Sequence, residues 1–406
     1  MNQPVIQDGA VTLQNGRIVS VGPWRDKEEH GGTRVLDLGS RILMPGLINA
    51  HCHLDYTNMA GQIPPPKNFP EWIKSILVLK SHWGFSEYAE SWLEGASQAL
   101  RSGTTTLVDI EAVPELLPHV WQATPLRLFS MLELTGVRSS HRPEALLNQS
   151  MDILLKLPTN DLHNLGLSPH SPYSTPAELL RLCAQASQTF NLPLAIHVSE
   201  SQEEFDMFTL GRGLLFDWLK NQREMSACGQ GSPIQYLHKS GLLSPSLMAI
   251  HANYLDPADL QLLATNRVSV VHCPRSHRYF GHAPFPIEKM IRHGINVCLA
   301  TDSLASMNKN HDQLPTLNLF EELHTFSSIH PEIDPLHTLK MVTVNAAQAL
   351  RREETLGEIS PDAFSDLIAI PYEGSVERSA EYLVHARPKV DFIMIQGKTI
   401  SESSTL

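Results

Sequence analysis

The sequence predicts an α/β protein: a (β/α)8 TIM-like barrel with a small composite β-sandwich contributed by both chain ends. Three observations predict it. From Leu43 onward, short and nearly continuous apolar runs alternate with longer amphipathic stretches. That alternation marks a parallel sheet with both faces covered. Eight such runs can be counted, the number that closes a barrel. Segments with β-type alternation flank this region at both termini.

Residues 5–22 alternate in short apolar and polar steps around Asn15-Gly16, a strong hairpin signal. Val35-Leu36-Asp37-Leu38 predicts a third short strand. The barrel strands are expected at 43–50, 104–109, 126–134, 164–169, 194–197, 248–251, 268–272 and 296–301. Helix-favouring stretches between them cover 87–101, 143–156, 176–190, 257–266 and 286–293. The long loop after the first barrel strand, Tyr56 to Lys80, carries the stiff run Pro64-Pro65-Pro66. Leu339 to Arg352 predicts one helix capped by Thr338. Strands are then expected at Leu356–Ile359, Asp366–Ile370 and Val390–Ile395, with a turn at Gly397-Lys398 and a frayed end from Ser401. The expected domains are a composite β-sandwich from 1–42 and 356–406, and a barrel from 43–355.

Composition narrows the function classes. The chain has 406 residues, 42% hydrophobic and 18% charged, which suits a soluble protein with a large core. A formal net charge of −12 argues against nucleic-acid partners and anionic membrane surfaces. No apolar run is long enough to span a bilayer. Met1 to Gly9 lacks a basic region followed by an apolar core, so no signal peptide is expected. Five scattered cysteines without a C-x-x-C pair read as free thiols in a reducing cytoplasm.

The chemistry is expected at the C-terminal ends of the barrel strands, where such barrels place their active sites. Strand one runs through Met44-Pro45-Gly46-Leu47-Ile48-Asn49-Ala50 and ends in His51-Cys52-His53. Side chains alternate along a strand, so His51 and His53 reach one point while Cys52 faces away and packs. Later strands end in Ser168-Pro169-His170, in His197 with Glu200 three residues on, in His251, in His272 and in Thr301-Asp302. A single histidine at a strand end is commonly structural. Five of eight strands ending in histidine, and one in aspartate, point instead to a metal site. Such an ion takes three or four N/O ligands, which His51, His53, His197 and Asp302 can supply. Glu200 is placed to shuttle protons, and its bland alternative is a solvated carboxylate at a helix start. His251 is placed to orient water or stabilise developing charge. There is no P-loop, no G-x-S-x-G elbow and no dinucleotide-binding glycine fingerprint. The H-x-E…P-C-x-x-C pattern of the small zinc deaminases is also missing.

These stretches resemble the amidohydrolase superfamily, specifically its cytosine deaminase and chlorohydrolase-like branch. The resemblance extends over Met44–His53, Gly103-Thr104-Thr105-Thr106, Ser168–Tyr173, His197-Val198-Ser199-Glu200, His272–Ser276, Ala300–Ser306, Asn345-Ala346-Ala347 and Gly357-Glu358-Ile359. It implies one divalent metal ion, zinc or else iron, on His51, His53, His197 and Asp302. Glu200 is then the acid/base, Asp302 accepts the first proton of the reactive water, and His251 stands beside that water without ligating the ion. The lysine of binuclear relatives is absent after strand four, so one ion is expected. His170, Trp72, Glu133, Arg138 and Ser303 are the expected substrate contacts. Trp72 either stacks on a heteroaromatic ring or packs its loop onto the barrel.

The implied activity is hydrolytic deamination of an aminated purine-like or related N-heterocycle, a small molecule. The pocket loops resemble those of 6-aminodeoxyfutalosine deaminases. They also depart from the common pattern, with Ser303 after the aspartate and His277 where asparagine is frequent. Two alternatives remain at this stage: another hydrolysis at the same centre, such as dechlorination or amide cleavage, and a non-catalytic barrel used in assembly. A homo-oligomer is common in the family, though no residue here demands one.

Overall fold

The computed structural model describes residues 4–24, 34–137, 142–309 and 314–402. Its fourteen described strands are β1 (Gly9–Gln14), β2 (Arg17–Pro23), β3 (Arg41–Pro45), β4 (Leu47–Cys52), β5 (Thr104–Glu111), β6 (Arg127–Leu134) and β7 (His163–Pro169), followed by β8 (Leu194–Val198), β9 (Leu247–His251), β10 (Ser269–His272), β11 (Val297–Leu299), β12 (Leu367–Pro371), β13 (Phe392–Ile395) and β14 (Lys398–Glu402). Strands β4 to β11 form one eight-stranded parallel sheet in chain order. The sheet curls until its edges meet: Cys52 bridges to Asp302, and the Asp302 N–H donates to the His51 carbonyl at 3.2 Å. This is the expected (β/α)8 barrel.

Asn49 reinforces the closure. Its Nδ2 donates to Thr301 Oγ1 at 2.7 Å, and its Oδ1 accepts from the Thr301 N–H at 3.1 Å. A fully buried amide satisfied on both sides can hold two strands together without leaving a polar group stranded. Inside the barrel, Ile48, Val108, Phe129, Met131, Met248 and Ile250 pack together. Ala346 and Ala349 of the helix Val344–Ala349 join them from the end where the strands begin. The helices cover the outside, with Trp92, Leu107, Leu128 and Leu132 in one of the outer cores.

The composite sandwich has one sheet in the order β14-β13-β12-β3 and a hairpin, β1-β2. In that hairpin Asn15 and Gly16 take φ of 53° and 77°, as its tight turn requires. The Ile18 N–H donates to the Ala363 carbonyl, and Ile18 packs with Leu367, Ala369 and Phe392. Both chain ends therefore share one small core.

The structure corrects five sequence expectations. The apolar run 43–50 is two strands, because the chain changes sheets at Gly46. A Cβ there would lie 2.1 Å from Thr105 Oγ1, and the Gly46 N–H donates to the Asp366 carbonyl. Val35–Leu38 is not a strand; the Asp37 side chain accepts from the Gly39 N–H and turns the chain. Leu356–Ile359 is a bend around Gly357, whose φ is +81°. Leu339–Arg352 is not one helix. Pro335–Lys340, capped by Asp334 rather than Thr338, and Val344–Ala349 are separated because strand N–H groups take the Met341 and Val342 carbonyls. Of the end expected to fray from Ser401, Ser401 and Glu402 belong to β14, and 403–406 lie outside the described residues.

Sequence reading also left several helices unassigned, two of which bear on the architecture. Phe69–Lys80 starts where Asn68 accepts from the Glu71 N–H, with Pro70 in the first turn. Ser379–His385 lies in the tail and buries Leu383 and Val384 in the main core.

Arg127 joins barrel to sandwich. Its guanidinium lies 2.8 Å from Asp366, with side chains 1% and 4% exposed, and over the Phe364 ring. Removing one partner leaves a buried charge uncompensated, which costs about 3–5 kcal/mol. In urea unfolding, Arg127→Met is expected to lose about that much, and the double variant Arg127→Met/Asp366→Asn to recover a large part of it.

Candidate active site

Three backbone positions around the barrel mouth aim the site. Ser199, His251 and Asp302 have φ of 50°, 71° and 56°. These left-handed conformations cost non-glycine residues about 1–3 kcal/mol each and persist where surrounding contacts enforce them. They turn the ends of β8, β9 and β11 inward. On β4 the register shifts between Asn49 and Cys52. His51 and His53 then face the centre, while Cys52 packs outward near Asp109.

The expected ligands converge. His51 Nε2 lies 3.3 Å from Asp302 Oδ1, and His53 Nε2 lies 3.9 Å from the same oxygen. His53 Nε2 and His197 Nε2 face each other at 3.2 Å. All four residues are buried. His197 Nδ1 is 3.0 Å from the His170 carbonyl, which can only accept, so Nδ1 carries the proton and Nε2 presents its lone pair inward. Burial and the neighbouring imidazoles hold His53 and His197 well below the usual histidine range, hence neutral. Burial opposes the charge on Asp302, but the His51 hydrogen bond and the electrostatic pull of His251, His51 and His53 together outweigh it and keep the carboxylate well below its usual range. Inward-facing neutral nitrogens beside a carboxylate repel one another unless a cation or a shared proton sits between them. Three imidazoles and one carboxylate are a donor set that fits a divalent ion. The potential ligand atoms of His51, His53 and Asp302 lie within 4.8 Å of one another, as do those of His51, His197 and His251.

Glu200 stands beside this cluster. It is 5% exposed, and its Oε1 lies 3.6 Å from His251 Nε2. Burial first, then the negative charge of Asp302 and Glu204, pushes its carboxyl well above the usual range. Burial pushes His251 down to about 3, so a neutral imidazole faces a carboxyl that binds its proton more tightly than usual. Such a pair can give and take a proton at neutral pH.

The remaining expected residues fall in different places. His170 stands next to His197, its Nδ1 2.7 Å from Ser174 Oγ. Glu133 ends β6 in register with Ser168 and acts electrostatically on His170. Ser303 is buried, and its Oγ has no partner among the described residues. Trp72 donates from Nε1 to the Ala305 carbonyl at 3.3 Å and packs against Phe69 and Phe280. It thereby fastens the helix Phe69–Lys80 over the mouth. Arg138 lies outside the described residues. His272 stacks on Phe285 at 3.7 Å, the ordinary packing role of a strand-end histidine.

Sequence reading missed several supports. Tyr56 lies nearly parallel to His53 at 5.0 Å and accepts a 2.7 Å bond from Lys80 Nζ. Ser306 Oγ donates to Asp302 Oδ2 at 3.2 Å. Asn253 and Glu204 hold the backbone of Glu200. Only Ser306 carried a signal, lying four residues past Asp302 inside a recognisable stretch.

The neutral buried histidines make stability fall in acid. Once unfolded, they titrate near pH ~6.5, so below that pH the unfolded chain binds protons that the folded chain refuses. Melting of chelator-treated protein is expected to show a midpoint that falls from pH 7 toward pH 5. The raised carboxyls of Glu200 and Glu204 act in the opposite sense, so the histidine contribution is read from His272→Phe, whose midpoint is expected to fall less over that window; an identical fall contradicts neutral burial of His272.

The chain is similar to named relatives and to solved structures. A S-adenosylhomocysteine/5-methylthioadenosine deaminase from Syntrophobacter fumaroxidans is 29% identical, over 98% of this chain and 89% of that protein. An adenosine deaminase from Xanthomonas campestris, solved with bound zinc, superposes with a TM-score of 0.83 at 22% identity, covering 99% of this chain and 90% of that one. The zinc complex of an atrazine chlorohydrolase from Arthrobacter aurescens gives 0.83 at 19% identity, covering 98% and 91%. The profile described as amidohydrolase family matches residues 42–400, and the chain belongs to that family.

Proposed function

We propose that this protein is a metal-dependent hydrolytic deaminase of an amino-substituted purine nucleoside or a related N-heterocycle, releasing ammonia. The observation that carries the reading is the Glu200 carboxyl. It is buried, its carboxyl is pushed above the usual range by that burial, and it lies beside both His251 and the His/Asp cluster. Deamination of an aromatic amine needs such a group twice, once to protonate the ring nitrogen and once to protonate the departing amine. Relatives named for deamination of adenosine-type compounds support the substrate class.

His51, His53, His197 and Asp302 would hold the ion, with zinc the proposed metal. When bound, that ion supplies Lewis acidity that makes water nucleophilic near neutral pH. Asp302 takes the first proton from the attacking water. Glu200 carries a proton to the ring nitrogen and later one to the amine. His251, kept neutral, orients the water and stabilises developing charge. His170, Glu133, Ser303 and Arg138 are the proposed substrate contacts, and the aromatic wall of Phe69, Trp72 and Phe280 is proposed to cover the ring. Among the described residues no helix is long and apolar enough to cross a membrane. Free thiols at all five cysteines support a cytoplasmic setting.

The test is ammonia release by zinc- or iron-loaded protein from adenosine, S-adenosylhomocysteine, 6-aminodeoxyfutalosine, guanine, cytosine and an aminotriazine. Release from at least one is expected. Glu200→Gln should lower kcat by about 10²-fold or more while keeping its metal. Chloride or carboxylate release without ammonia would instead select a different hydrolysis.

A further inference from the structure

We propose that Asn253 and Glu204 are positioning residues for Glu200, gripping its peptide from opposite sides so that its carboxyl stays aimed at the reacting atoms. This rests on Glu200 being the proton carrier.

The two grips are separate hydrogen bonds. The Glu200 N–H donates to Glu204 Oε2 at 2.9 Å. The Glu200 carbonyl accepts from Asn253 Nδ2, also at 2.9 Å. The carbonyl can only accept, which fixes the amide orientation of Asn253. Its Oδ1 then faces His277 Nδ1 at 3.1 Å. Asn253 and Glu204 are 5% and 0% exposed, so water does not compete for either bond.

The surrounding backbone needs the grip. Ser199 is left-handed, as are His251 and Ala252 on the next strand end. The Ser199 carbonyl accepts from the N–H groups of both Asn253 and Tyr254, at 3.0 and 3.2 Å. The β8 and β9 ends are thus stitched together across two strained turns, and Glu200 rides on the seam. Ser201 caps the following helix, Gln202–Leu210, and accepts from the Glu204 N–H, which places Glu204 one turn beyond Glu200. Among the described residues, neither side chain belongs to a cluster that could hold a metal ion. Their effect on chemistry runs through Glu200. Because His277 lies on the lip formed by Pro274–Phe280, Asn253 also links that lip to the Glu200 peptide.

The experiment compares Asn253→Ala, Glu204→Ala and Glu204→Gln with wild type. It measures kcat and KM on the compound that wild type deaminates, together with zinc content, melting temperature and crystal structures of each variant. Misplacing a catalytic group by about 1 Å can cost up to about a hundredfold in rate. Asn253→Ala and Glu204→Ala are expected to lose about tenfold to a hundredfold in kcat, with KM within about twofold and zinc retained. Glu204→Gln keeps an oxygen to accept the Glu200 N–H and is expected to restore most of kcat. Unchanged kcat in Asn253→Ala overturns the role of Asn253. A Glu204→Gln variant as impaired as Glu204→Ala overturns that of Glu204. If wild type deaminates nothing in the panel, the deaminase reading fails and the crystal structures decide. A Glu200 carboxylate displaced by more than about 0.5 Å in the two alanine variants then upholds the grip, and an unmoved one overturns it.

Discussion

The closure of the barrel between β4 and the chain following β11 is the contact on which the site depends. His51 and His53 come from the first barrel strand and Asp302 from the end of the last. They share a centre only if those edges meet. The Asn49–Thr301 pair of hydrogen bonds and the Asp302 N–H to His51 carbonyl bond make them meet. A buried amide whose bonds are lost on opening pays an unsatisfied-group penalty of about 1–3 kcal/mol. That penalty acts against opening at the place where the histidines lie.

Around that closure the protein accumulates groups that would be unfavourable elsewhere. Left-handed φ values occur at Ser199, His251, Ala252 and Asp302, all within the ring of strand ends. Imidazoles are buried neutral, and burial pushes the Glu200 carboxyl above its usual range. Each departure has a use. Strained turns point side chains inward, neutral imidazoles present lone pairs, and a protonated carboxyl can act as an acid near neutral pH. The sandwich and its Arg127–Asp366 tie sit where the barrel strands begin, away from this chemistry.

Local patterning made much of the fold legible. Helix 143–156 was placed to the residue, and the eight barrel strands within a few residues, because burial on both faces gives parallel strands a compact apolar signature. The failures share a cause. Leu339–Arg352 has a helical composition, yet two of its carbonyls are claimed by strands from elsewhere in the chain. The run 43–50 looks like one strand, yet Gly46 passes too close to Thr105 for any side chain. In both cases a distant partner overrode a local preference.

The sequence by itself determined which residue types stand at the strand ends and on which side of β4 they lie, because side-chain alternation is a property of neighbouring residues. Tertiary structure decided the rest. It separated His272, which packs on Phe285, from His197, whose ring is locked by the His170 carbonyl. It also gave Asn253 and Glu204 their places against the Glu200 peptide. Those assignments depend on hydrogen bonds and burial between segments far apart in the chain. No periodicity along the chain encodes which donor will meet which acceptor once the barrel has closed.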